Sequence, residues 1–208
     1  MGISPFIRTI IILGPKHSGK TSAGRELAKL LGGPFTDLDE LIEAQTGKSP
    51  RALFKESPAT FQTAELQALA SLSSLHSTKE FGGTADCGCT AGQDSTPGVI
   101  AAGGGIIDNA GARQFLLTEK GLFLVNLEVA AETAWERISL TAQGGDLPPF
   151  LNTQTPRETH HLLHERRAAA YREIAHLTIP GGSKTPEETG QEIYNALGIF
   201  IQLKPKNI

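Results

Sequence analysis

The chain has 208 residues, 39% of them hydrophobic and 20% charged, with a formal net charge of −3. That balance predicts one globular domain with a sizeable core, and it excludes a disordered chain or a broadly basic nucleic-acid binder. No apolar run approaches the eighteen or so residues of a membrane span, and the first strand starts too early to leave room for a signal peptide. The expectation is therefore a cytoplasmic protein with no membrane partner. Two cysteines, Cys87 and Cys89, fit a reducing compartment and stand too close together to bond easily.

In chain order, the apolar run Ile7–Leu13 reads as a buried first strand. Gly14-Pro15-Lys16-His17-Ser18-Gly19-Lys20-Thr21 follows it as a complete phosphate-binding loop, G-x-x-x-x-G-K-[ST]. Its glycines let successive N–H groups point at phosphate oxygens, Lys20 supplies a point charge, and Thr21 offers a hydroxyl to Mg²⁺. A helix from about Lys20 to Leu31 adds its positive N-terminal end, with Ala23, Leu27, Leu30 and Leu31 at helical spacing, until Gly32-Gly33-Pro34 stops it. A motif of this length between a strand and a helix points to a bound nucleoside triphosphate.

Phe35-Thr36-Asp37 reads as a short second strand, followed by helices at about 39–45, 51–55 and 59–73. The last of these turns Phe61, Leu66, Leu69 and Leu72 inward. Residues 76–98, rich in Gly, Ser and Thr and holding both cysteines, read as a long insertion. Cys-x-Cys there lacks the further ligands a zinc site needs. Val99–Ala102 is a third strand ending in Gly103-Gly104-Gly105, and 121–127 a fourth. Helices at about 110–116, 131–140, 158–173 and 186–197 and a last strand at 177–179 complete the chain, with a polar loop at 141–157. Alternating strands and helices imply a parallel sheet covered on both faces. His160, His161 and His164 lie on one helix without a metalloprotease-type carboxylate motif, and exposed helix surface is expected for them.

Asp37 and Asp39 stand at the end of the second strand, where an open parallel sheet binds its ligands. Because side chains alternate along an extended segment, both are expected to point the same way. Asp39 could instead cap the next helix. The triple glycine offers close backbone approach and N–H donors to a ligand, or else a plain turn.

Together these residues resemble the shikimate kinase family, among the small phosphate-loop kinases of nucleoside monophosphate kinase type. The matching residues are Gly14–Thr21, Asp37-x-Asp39, Gly47-x-Ser49, Phe61 with Glu65, Gly103–Gly105, Glu136-Arg137, and Glu165-Arg166-Arg167 ending at Tyr171. The resemblance implies an α/β, three-layer fold with a central five-stranded parallel sheet, helices on both faces and a mobile lid at about 141–157. It also implies ATP and Mg²⁺, a shikimate-like hydroxy acid as acceptor, and a monomer. Residue by residue, Gly14, Lys16, Ser18, Gly19, Lys20, Thr21 and Ser22 would hold the nucleotide, with Arg137 against the adenine and Lys184 in the loop flanking it. Thr21 and, through water, Asp37 would serve the metal. Lys20 and Asp39 would be catalytic, Asp39 also binding substrate hydroxyls. Gln62, Gly103, Gly104, Gly105 and Arg167 would complete the substrate site, Arg167 pairing with a carboxylate.

Two positions depart from the family. Phe-Arg-x-x-Glu becomes Phe61-Gln62-Thr63-Ala64-Glu65, which replaces a charge-assisted grip with a neutral amide. The lid's Arg-Pro-Leu-Leu aligns with Pro148-Pro149-Phe150-Leu151, which removes an arginine that would stabilise the transferring phosphoryl group. Lys16 and Arg157 are the candidates to replace it, although Arg157 also fits a solvated charge at a helix start. These departures leave two alternatives to a shikimate kinase. One is a related kinase with a less anionic acceptor, such as a polyol or sugar acid, and the other a weakly catalytic ATP-binding sensor or partner protein.

Overall fold

The computed structural model describes residues 7–77, 96–142 and 147–202. Most of the insertion expected at 76–98, with both cysteines, and part of the polar loop at 141–157 lie outside the described residues. Five parallel strands form one sheet: β1 (Thr9–Leu13), β2 (Phe35–Asp37), β3 (Gly98–Ala101), β4 (Leu122–Glu128) and β5 (Leu177–Pro180), in the order β2-β3-β1-β4-β5. The helices are α1 (Lys20–Leu31), α2 (Leu38–Thr46), α3 (Pro50–Glu56), α4 (Pro58–Ser77), α5 (Ala110–Thr118), α6 (Ala131–Ala142), α7 (Pro156–Ile174) and α8 (Pro186–Gln202). Among the described residues no helix is long and apolar enough to cross a membrane.

Every residue of β1 is buried, because the strand lies at the centre of the sheet with helices on both faces. Alternation divides its side chains between two cores. Ile11 and Leu13 pack with Ile100, Leu124 and the apolar faces of α2, α4, α5 and α7. Ile10 and Ile12 pack with Phe123 and Val125 beneath α1 and α8. Leu30 shares the spacing of Ala23 and Leu27 yet is exposed, since α1 buries the stripe through Lys20, Ala23, Gly24, Leu27 and Ala28.

Local capping decides where the helices of the site begin. Asp37 caps α2 by accepting from the Asp39 N–H at 3.0 Å, and Ser49 caps α3 through Ala52 at 3.3 Å. Asn109 caps α5 through Ala112 at 3.2 Å. The chain reaches Asn109 through a 3₁₀ turn at Ile106–Asp108, which follows the triple glycine and which the apolar pair Ile106-Ile107 did not signal.

The histidines of α7 correct the sequence expectation. His160 and His164 are buried between α7 and α6, His160 against Trp135 and His164 donating from Nε2 to the Val129 carbonyl at 2.9 Å. Burial pushes His160 down from 6.5 to about 4, helped by the neighbouring His164 and His161, and lowers His164 as well. Between these two values for His160 the unfolded chain binds the proton that the folded ring refuses, so stability falls as pH drops through that window. His160→Phe, which keeps a ring against Trp135, is expected to flatten the fall in Tm between about pH 6.5 and about pH 4. Thermal melts across that range measure it.

Candidate active site

The phosphate loop leaves β1 at the C-terminal edge of the sheet, where Gly14 passes under β4. A β-carbon on Gly14 would stand 2.5 Å from the Leu127 carbonyl oxygen, and its φ is +139°, so no other residue fits. His17 adopts φ +61°, a left-handed conformation that costs a non-glycine residue about 1–2 kcal/mol. Its carbonyl accepts from Arg137 Nη1 at 2.8 Å, while Arg137 Nη2 donates to Gly182 at the same distance. Arg137 thus ties the loop to the segment following β5.

Lys20 is buried at the loop's centre, and its ammonium donates to the Pro15 carbonyl at 2.7 Å. Burial brings its pKa down from 10.5 to about 8, against the pull of Asp39 and Asp37. Thr21 donates to Asp37 Oδ2 at 2.7 Å, which sets a hydroxyl beside a carboxylate at the N-terminus of α1. Ser18 Oγ is buried without a protein partner. An under-solvated cation, an orphaned hydroxyl and a helix N-terminus suit a polyphosphate, and the paired hard oxygens suit Mg²⁺.

The loop opens on a cleft of about 630 Å³ bordered by Lys16, Gly19, Lys20, Thr21, Ser22, Asp37, Asp39, Gly103, Gly104, Gly105 and Arg167, all expected site residues. Arg51, Phe54, Phe61 and Glu65 from α3 and α4 and Pro148 and Phe150 from the segment before α7 close the other side. Asp37 and Asp39 converge differently from expectation. A helix begins between them, so Asp37 is the cap and Asp39 sits in the first turn of α2. Strand alternation therefore does not align them, and the capping role weighed for Asp39 belongs to Asp37. Asp39 is raised from its ordinary value by desolvation in the cleft and by Asp37, with Lys20 and Lys16 opposing.

The three glycines face different neighbours. A β-carbon on Gly104 would stand 2.7 Å from the Lys16 backbone nitrogen, so the triplet can lie against the phosphate loop only without a side chain there. The Gly104 carbonyl also accepts from the buried Tyr171 hydroxyl at 3.1 Å. Beside Gly105 the Arg167 guanidinium is held by Asp108, with Nε and Nη2 both donating to Oδ2 at 2.8 and 2.6 Å. Arg166 takes the other Asp108 oxygen at 2.8 Å, and Phe150 stacks 5.5 Å from the Arg167 guanidinium carbon.

Other expected residues stand apart from the cleft wall. Gln62 is exposed, and its main-chain carbonyl accepts from Asn109. Lys184 pairs with Glu192, and Arg157 pairs with Glu132 on the exposed surface at 2.6 Å. Of the two candidates for the missing lid arginine, only Lys16 borders the cleft. Sequence reasoning missed Arg51, Asp108 and Asn109, which carry no motif. It noted Glu65 without a site role, although the signal was present: a carboxylate whose expected arginine partner is absent.

The chain matches the family model described as Shikimate kinase over residues 16–85 and 90–198. It is 31% identical to a shikimate kinase of Marinomonas sp. (strain MWYL1) over 94% of each chain. A solved structure of a shikimate kinase from Acinetobacter baumannii in complex with shikimate superposes with a TM-score of 0.74 at 30% identity, covering 95% of this chain and 96% of the other. A gluconokinase from Sinorhizobium meliloti 1021 superposes with a TM-score of 0.51 at 16% identity, covering 96% and 99%, a likeness of fold alone.

Proposed function

This chain belongs to the shikimate kinase family, and we propose that it transfers the γ-phosphoryl group of ATP to the 3-hydroxyl of shikimate in the cytoplasm. The observation that carries this is the meeting, in one cleft, of the phosphate loop with Asp39, Gly103–Gly105 and Arg167. ATP with Mg²⁺ supplies the phosphoryl group and neutralises the charge on its leaving oxygens. Thr21 and Asp37 would hold the metal, Asp37 through water. The backbone N–H groups of the loop and Lys20 would hold the transferring oxygens, and Lys16, which borders the cleft, would supply the second cation. Asp39 orients the attacking hydroxyl and takes its proton. Arg167 keeps its Nη1 edge outside the Asp108 pair and offers it to the substrate carboxylate.

A coupled ADP-release assay with shikimate tests the function, and saturable turnover is expected. Arg167→Ala is expected to raise the shikimate KM by about 10–100-fold, a charge-assisted grip's worth, with the ATP KM unchanged. An Arg167 variant with an unaltered shikimate KM would remove the carboxylate role. Gln62 and the Asp108 carboxylate beside Arg167 favour a second reading, an acceptor less anionic than shikimate. Turnover with a neutral polyol, and none with shikimate, would select it.

A further inference from the structure

Glu65 is the buried carboxyl that the mechanism above leaves unused. It is 1% exposed, it borders the cleft, and its Oε1 has no hydrogen-bond partner. That oxygen faces Gly103 beside Asp39: a β-carbon on Gly103 would stand 3.3 Å from Glu65 Oε1 and 3.1 Å from Asp39 Oδ1. An ionised carboxylate so placed would be buried, half-satisfied and next to a second carboxylate, the costliest of its options.

The hydrogen-bond network determines which oxygen bears a proton. Asn109 Oδ1 accepts from the Ala112 N–H, so its amide nitrogen is fixed as donor. That nitrogen donates to Glu65 Oε2 at 2.9 Å and to the Gln62 carbonyl at 2.8 Å. Oε2 is therefore an acceptor, and a proton on this carboxyl belongs on Oε1, the oxygen that faces Gly103 and Asp39 at the cleft wall. The groups around it are Asp39 from α2, Asp108 from the 3₁₀ turn, Asn109 ahead of α5, and Arg167 and Tyr171 from α7. Burial and the two aspartates raise Glu65 from 4.5 to about 7, against Asn109 and Arg167.

We propose that Glu65 works as a neutral carboxylic acid whose Oε1–H donates a hydrogen bond to an oxygen of the acceptor, on the side of the cleft that α4 closes. Glu65 is thus a substrate-binding donor that weakens as the proton leaves, and this rests on the shikimate kinase function proposed above. Its signature is an acceptor affinity that declines from mildly acid to mildly alkaline pH. A glutamine at this position preserves the donor, because Asn109 would hold the amide oxygen and turn the NH₂ toward the cleft.

The test compares shikimate KM at about pH 6 and about pH 8 for the wild type, Glu65→Gln and Glu65→Ala. The wild-type KM is expected to rise about tenfold, one hydrogen bond's worth. The Gln variant should keep the low value at both pH values, and the Ala variant should be about tenfold weaker already at about pH 6. The titration of ATP itself is common to all three and cancels. A Gln variant as weak as Ala, or a wild-type KM level across the range, would overturn the proposal. Should the wild type turn over no shikimate, the function proposed above fails instead. The protonated carboxyl is then read directly, as a carbonyl stretch in the infrared difference between wild type and Glu65→Gln at about pH 6. Its absence overturns the neutral acid.

Discussion

Lys20→Met is expected to lower kcat by about 10³-fold or more while leaving the fold intact, because it removes the buried cation aimed at the transferring charge. The protein keeps this ammonium buried at a cost. Its folded pKa of about 8 lies below the ordinary 10.5. The folded state thus binds fewer protons than the unfolded chain between those values, and its stability rises with pH through that window. Below about pH 8 the cost is fully present, so the methionine variant should melt no earlier than the wild type at neutral pH. Phosphate oxygens restore what burial took away, so ATP binding above about pH 8 should take up a proton, seen as a buffer-dependent binding enthalpy that Lys20→Met abolishes. A variant that loses activity and also melts much earlier would mark Lys20 as a structural strut bonded to Pro15 instead.

Asp39→Asn is expected to lower kcat by about 10²-fold or more and to raise the shikimate KM, since the amide can neither take a proton nor accept two hydroxyls equally. The ATP KM should move little, because Asp37 and Thr21 remain paired. Wild-type kcat should show an acid limb shifted upward, in the direction that desolvation in the cleft and Asp37 shift Asp39, and the limb should vanish in the variant. Steady-state rates from about pH 4 to about pH 8 measure both. A kcat unchanged in Asp39→Asn would reduce the residue to substrate orientation.

Much of the donor half is legible in the sequence. Gly14–Thr21 is contiguous, and each residue's part follows from the loop's own geometry: two glycines, a cation and a hydroxyl at a helix start. The strands are legible too, because each is a short apolar run between turn residues, and all five appear with shifts of a few residues at most. The acceptor half is only partly legible. Arg167 and the glycine triplet follow from the family pattern, whereas Asp108 and Asn109 stand in and beside a 3₁₀ turn without a sequence signature.

The misread residues share a cause. Histidine is intermediate in burial and glutamine and aspartate are mostly exposed, so their burial or pairing depends on a partner that periodicity along the chain does not reveal. His160 and His164 are buried because α6 crosses α7 at that face, which no spacing within α7 reveals. Asp37 caps α2 because the chain leaves the sheet one residue sooner than continued alternation would require.

By itself the sequence determined that the protein is an α/β chain with a phosphate loop, and through its ordered motifs that it resembles one kinase family, because these features depend on neighbours along the chain. Only the tertiary structure decided the electrostatics of the acceptor site: Arg167 shared with Asp108, Glu65 buried beside Asp39, and Lys16 rather than Arg157 at the cleft. Those states depend on burial and on charges brought together from α2, α4, α7 and the turn before α5, and desolvation is a property of the folded surroundings, not of the residue.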